Sequence, residues 1–146
     1  MDKEKLMVWL PGILAILGIG LPILLSSEVA FWSWGLVITS HGEVYNMIVD
    51  AESSSSRMIA TIFLIFFIID AAGIVLYILK VTSIMKLPNV SWLPGLLMLA
   101  GMGFPAYYMI ITIPDNGFVF PLGVIVGIIG GIWVLVIGIK EIPRKS

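Results

Sequence analysis

Four stretches of this chain, residues 6–25, 58–79, 91–113 and 118–139, are apolar and long enough to cross a lipid bilayer as helices, a task that takes about 20 such residues. In a chain of 146 residues they leave room for little else. The sequence is 60% hydrophobic and 12% charged, with a mean hydropathy of +1.11, whereas soluble domains hold about 45–50% apolar and about 25% charged residues. A chain this short has too little interior to hide that excess from water, so the lipid bilayer is its expected solvent and partner. The expected fold is all-α membrane: a single transmembrane domain over 1–146, built as a four-transmembrane-helix bundle. A soluble enzyme and a disordered tail are excluded by the same composition. With 8 Lys+Arg against 9 Asp+Glu there is no basic face for nucleic acid, and with 0 Cys there is no disulfide framework. One His and no Cys leave little for nucleophilic or metal chemistry, so no enzymatic activity, cofactor or metal site is expected.

Lysine and arginine set the expected orientation. Lys3 and Lys5 precede the first run, Lys80 and Lys86 lie between the second and third, and Lys140, Arg144 and Lys145 follow the fourth. All fall on one side of a four-pass chain, whereas the other side holds Arg57 among Glu28, Glu43, Asp50, Glu52 and Asp115. By the positive-inside rule both termini are expected in the cytoplasm of a multi-pass plasma-membrane protein. The first run is read as a span because it is long for a signal-peptide core and no small-x-small site closes it.

Laid on each other at an offset of 83, the first and third runs match at eight of fourteen positions. Trp9-Leu10-Pro11-Gly12 meets Trp92-Leu93-Pro94-Gly95, Gly18 and Gly20 meet Gly101 and Gly103, and Pro22 meets Pro105. Apolar composition alone does not place one Trp, two Pro and three Gly in register. The pattern reads as a parallel internal repeat of a helix pair, with its pseudo-twofold along the membrane normal. Shared use of interfacial Trp and contact Gly is the alternative. Aligning Lys80 with Lys140 sets Asp70 opposite Gly130.

Between the first two runs, residues 30–40 alternate Trp32, Trp34, Leu36 and Ile38 with Ser33, Gly35 and Thr39, the period of a strand. His41-Gly42 fits a two-residue turn, and 44–49 would return antiparallel, making an outer β-hairpin over about 30–50. The expected register pairs Ile38 with Tyr45, Leu36 with Met47 and Trp34 with Val49 on one face. Thr39/Val44, Val37/Asn46 and Ser33/Asp50 make the other. An isolated hairpin is marginal in water, so its apolar face needs helix ends, lipid headgroups or a protein partner. Trp32, Trp34, Leu36, Ile38, Tyr45 and Met47 are the candidate partner-binding residues. Residues 51–56, with four serines in a row, read as a flexible link.

Asp70 is the one ionisable residue well inside a run, about twelve residues past Met58 and so near mid-membrane. A carboxylate there costs about 2.5–3.5 kcal/mol on insertion scales. Two readings stand. Asp70 is an ion or proton site, or a contact to another subunit. Otherwise it is a structural carboxyl, bonded to a carbonyl freed by Pro11, Pro94 or Pro105, or to Tyr107 or Tyr108. In the fourth run, Gly123, Gly127 and Gly131 share one helical face and mark close helix packing, within the chain or between copies.

Trp34-Gly35-Leu36 in the first connection, Arg57-Met58 at the start of the second run, and Ala100-Gly101 with Tyr107-Tyr108 in the third carry a resemblance to the claudin and peripheral myelin protein group of tetraspan proteins. That resemblance implies four helices, cytoplasmic termini, a long first outer loop folded as strands and a short second one. It also implies a structural or adhesive role with lateral association. The group's loop cysteine pair is missing here, which puts a paracellular-barrier role in doubt. The leading expectation is therefore a non-enzymatic tetraspan protein that associates with like copies or other membrane subunits through its hairpin and Gly-rich faces. The alternative is a small ion- or proton-coupled transport component using Asp70.

Overall fold

The computed structural model describes residues 2–27, 29–47, 50, 54–112 and 120–142. Their elements are α1 (Lys3–Gly20), β1 (Leu24–Leu25), β2 (Val29–Phe31), β3 (Leu36–Thr39), β4 (Val44–Asn46), α2 (Ser54–Val81), α3 (Leu93–Thr112) and α4 (Leu122–Lys140). Three helical stretches are long and apolar enough to cross a membrane: Arg57–Val81, Leu93–Ile111 and Leu122–Lys140. Helix α1 differs because Lys3, Glu4 and Lys5 occupy its start. Its uncharged part, residues 6–20, measures about 22 Å at 1.5 Å per residue, short of the roughly 30 Å hydrocarbon core.

The first expected span, 6–25, is thus cut back at its end. Proline disfavours the α conformation in the residue before it, and Leu21, ahead of Pro22, is extended at φ −90° and ψ 149°. The chain then enters β1. Carbonyls left open at this helix end are capped from elsewhere: Trp32 Nε1 donates to Gly20 O at 2.9 Å, and the Gly123 N–H to Pro22 O at 2.9 Å. Two further boundaries are corrected. Residues 54–56, expected in a flexible link, form the first turn of α2. The fourth helix starts at Leu122 because Phe120 is extended and bridges to Leu25. Residues 51–53, 113 and 118–119 of the expected boundaries lie outside the described residues.

Helix α1 lies mainly along α4, α2 along α3, and α3 along α4. Each pair is antiparallel. Gly18 sits on Gly123 and Gly127 while Ala15 sits on Gly130; Gly101 sits on Asp70 while Pro94 sits on Gly73; Gly127 sits on Met102 while Gly138 sits on Ser91. Tyr77 OH also donates to Val8 O, tying the C-terminal part of α2 to the N-terminal part of α1. The starts of α1 and α3 and the ends of α2 and α4 therefore share one end of the bundle, and the sheet lies at the other. Lipid offers no hydrophobic drive for helices to associate, so close backbone approach at glycine supplies much of the adhesion.

Strands β1–β4 form an antiparallel meander in chain order. The single strand expected over 30–40 is corrected to two. At residues 32–36 the Gly35 N–H donates to Trp32 O (3.0 Å) and the Trp32 N–H to Leu36 O (2.9 Å), with Gly35 at φ 94°. The next turn repeats the device: the Gly42 N–H donates to Thr39 O (3.0 Å), the Thr39 N–H to Glu43 O (2.9 Å), and Gly42 has φ 82°. Both are three-residue loops, Ser33-Trp34-Gly35 and Ser40-His41-Gly42, each ending on a left-handed glycine. A loop of three rather than two residues moves the pairing by one. The register is Leu36↔Asn46, Val37↔Tyr45 and Ile38↔Val44, not the expected Leu36/Met47, Val37/Asn46 and Ile38/Tyr45. Residue 49, expected opposite Trp34, lies outside the described residues.

Two apolar clusters hold the bundle. At the sheet end Phe31, Val37, Ile23, Phe63, Met109 and Val124 are buried together, and at the other end Ala15, Ile74, Tyr77, Met98 and Val134. Phe63 joins sheet to helices through edge-on contacts with Phe31 (5.0 Å between ring centroids), Phe104 (4.9 Å) and Tyr108 (5.1 Å). Such pairs contribute about 0.5–1.5 kcal/mol each beyond their buried area.

Candidate functional site

Asp70 lies on α2 between the two clusters and is 3% exposed. Its backbone lies against Gly101 of α3. A Cβ placed on Gly101 would collide with Asp70 Cβ and would lie 2.6 Å from its nitrogen and 2.7 Å from its Cα. Helices α2 and α3 thus meet closely at this level, Gly101 lying on the backbone and Cβ of Asp70. One turn further along α2, a Cβ on Gly73 would lie 2.7 Å from Pro94 O and 2.9 Å from Met98 N. Of the partners the sequence offered, Tyr107 is 60% exposed and Tyr108 sits among the rings of Phe63 and Phe104. Among the described residues none forms an ion pair or hydrogen bond with the Asp70 carboxyl.

Such an arrangement is suited to binding a proton or a small cation. A carboxyl in an apolar bundle without a counter-charge gains strongly from any positive charge that reaches it, because the surrounding dielectric is low. Thr61, on the same helix, donates its hydroxyl to Arg57 O at 2.7 Å and so serves its own helix.

The packing glycines point inward. Gly123 meets the carbonyls of Gly18, Leu21 and Pro22, Gly127 meets Met102, and Gly131 meets Leu99 and Met98. All three are buried, so the stripe is occupied within one chain and is not a face open to neighbours. Gly130 and Gly138 are buried too, against α1 and the residues leading into α3.

The aromatic face of the hairpin is redistributed. Phe31 and Val37, on the opposite parity, are the residues buried against the helices. Trp32, Trp34, Leu36 and Ile38 are half-buried, Met47 packs on the sheet-end cluster, and Tyr45 is 41% exposed. Trp32 and Trp34 lie 6.4 Å apart across the first three-residue loop. His41 is exposed in the second loop, and no cluster of metal-ligating side chains occurs among the described residues.

The chain matches no protein-family model, and no curated protein or solved structure matches it.

Proposed function

We propose that the chain is a small multi-pass membrane protein of transport type, in which Asp70 takes up and releases a proton or a small monovalent cation at mid-depth of the bundle. The observation that carries this reading is a carboxyl 3% exposed within a helix apolar enough to span a bilayer. Intramembrane acids of this kind mark ion and proton paths because their insertion cost is kept only where it serves a purpose. In this reading all four helices cross, both termini are cytoplasmic, and the sheet is external. Helix α1 is the short one, and its antiparallel packing along α4 supports a fourth crossing.

The internal repeat belongs to the same proposal, and paired contacts support it. Gly73 faces Pro94 O and Met98 N, while Gly130 faces Pro11 O and Ala15 N. Gly101 lies on the backbone of Asp70, while Gly18 lies on the backbone of Gly127. Helix α1 maps on α3 at the offset of 83, and α2 maps on α4 with Asp70 at the position of Gly127. The alignment of Lys80 on Lys140, which set Asp70 against Gly130, is therefore replaced. Asp70 is the polar departure from a glycine contact that the other half makes without a carboxyl, so packing alone does not require it.

Reconstitution into proteoliposomes with an entrapped pH-sensitive dye tests the reading. Under an imposed gradient of protons or sodium, the native chain should carry a flux that Asp70→Asn lowers at least tenfold while helicity and thermal stability stay the same. A native chain that carries no flux, or an Asp70→Asn chain with undiminished flux, overturns it.

A second reading, a structural or adhesive tetraspan protein similar to the claudin group, is favoured by one feature. A sheet lies between the first two helices, and its last strand exposes Val44 (63%) and Tyr45 (41%). Cross-linking in native membranes that captures a neighbour through Tyr45 would support it.

A further inference from the structure

At the end of the bundle away from the sheet, Lys80, Ser83, Lys86 and Glu141 are among the residues that line a cavity of about 240 Å³. It is built by the turn between α2 and α3, where Ser83 takes a left-handed φ of 62°, and by the residue that follows α4. Its polar wall has an unusual balance. The Lys80 ammonium is buried, lies 5.9 Å from the Tyr77 ring centroid, and contacts the Glu141 carboxylate. An ammonium carries three N–H donors, yet Lys80 Nζ makes no properly directed hydrogen bond among the described residues. Its partner is far less committed: the Glu141 side chain is 47% exposed, against 14% for Lys80. Lys86, on the same wall, is exposed.

We propose that this cavity is a binding site for a phosphate group, and that the Glu141 carboxylate occupies the anion position when no phosphate is bound. Three features carry the assignment: two lysines and Ser83 around one cavity, a buried ammonium with donors to spare beyond its contact with Glu141, and a half-exposed carboxylate in the place of an anion. Glu141 can swing into water because half of its side chain is there already, and the arriving anion keeps the buried ammonium paired. A phosphate brings more acceptor oxygens than the carboxylate it replaces, and charge-assisted bonds to it are the stronger kind. Met85, Leu87 and Pro88 supply an apolar flank beside the charge. Basic pockets at helix ends in the headgroup layer suit the phosphate of an anionic lipid, while a free phosphate offers the same chemistry without the chains. Neither source depends on Asp70 or on which face of the membrane this end occupies.

The protein is purified in mild detergent and mixed with phosphatidylglycerol and phosphatidylcholine, and retained lipids are counted by native mass spectrometry. The expected result is preferential retention of one phosphatidylglycerol, lowered at least fivefold by Lys86→Gln and by Lys80→Gln and raised by Glu141→Gln. Lys86 is exposed, so its variant keeps the test valid should Lys80→Gln fold poorly. Lys5→Gln, an equal charge change at the same end of the bundle, should leave retention unchanged. Added inorganic phosphate decides the source: displacement of the lipid assigns recognition to the phosphate alone, and its failure assigns it to the lipid. Equal loss with Lys5→Gln and Lys86→Gln, or a fall in retention with Glu141→Gln, overturns the proposal.

Discussion

Asp70 and Gly101 form one unit, and each makes a separate prediction. A methyl group on Gly101 runs into the backbone of Asp70, so Gly101→Ala must part α2 from α3. Overpacking of this sort costs about 1–3 kcal/mol. Gly103, two residues on, is exposed and has no atom within 4 Å of its would-be Cβ, so Gly103→Ala should be neutral or gain up to about 1 kcal/mol from helix propensity. Thermal unfolding of the two variants in detergent checks the pair, and equal effects would contradict the geometry. Phe63, fully buried among three rings, is the matching test in the core: Phe63→Ala should lose about 3–5 kcal/mol in the same measurement. The depth of Asp70 was legible from its distance along an apolar run. Its glycine neighbour was not, because the facing residue of another helix depends on how the helices settle together, although Gly101 already stood out in the repeat.

The sheet shows where period reading stops working. Alternation over residues 30–40 has the period of a strand, and burial alternates there with the same period but on the opposite parity, at Phe31, Ser33, Gly35 and Val37. Alternation, however, does not register that the chain has turned back on itself. The signal lay in spacing: Trp32-Ser-Trp-Gly-Leu and Thr39-Ser-His-Gly-Glu are the same five-residue device seven residues apart. Each ends its loop on a glycine with positive φ, and a side chain in that region costs about 1–2 kcal/mol. Gly35→Ala and Gly42→Ala should each speed hydrogen exchange of the β3 amides, and exchange as slow as in the native chain would count against the three-residue loops. The helices were more legible because a long apolar run has one stable outcome in lipid. Even so, Pro22 ends α1 whereas Pro105 stays inside α3. Tertiary caps from Trp32 and Gly123 stabilise the first break, and no local pattern announces them. For a similar reason the proposed repeat aligns α2 with α4 through their glycine contacts and not through Lys80 and Lys140: lysines mark where helices end, and these two helices differ in length.

On the scale of the whole molecule, charge and packing converge. Antiparallel neighbours bring Lys3, Lys5, Lys80, Lys86 and Lys140 to one end, with the sheet at the other. Among the described residues three helices are long and apolar enough to cross by themselves, and α1 packs along α4. The proposed four-pass reading sets the start of α1 on the side away from the sheet, and the contacts of Tyr77 with Val8 and Gly12 support it. With no native cysteine, single cysteines at Lys3, Ser40 and Asn89 report the topology without background. The measurement is labelling by a membrane-impermeant thiol reagent in intact and then permeabilised cells. The account predicts that Ser40→Cys reacts in intact cells, while Lys3→Cys and Asn89→Cys react only after permeabilisation. Labelling of Lys3→Cys together with Ser40→Cys in intact cells would contradict it.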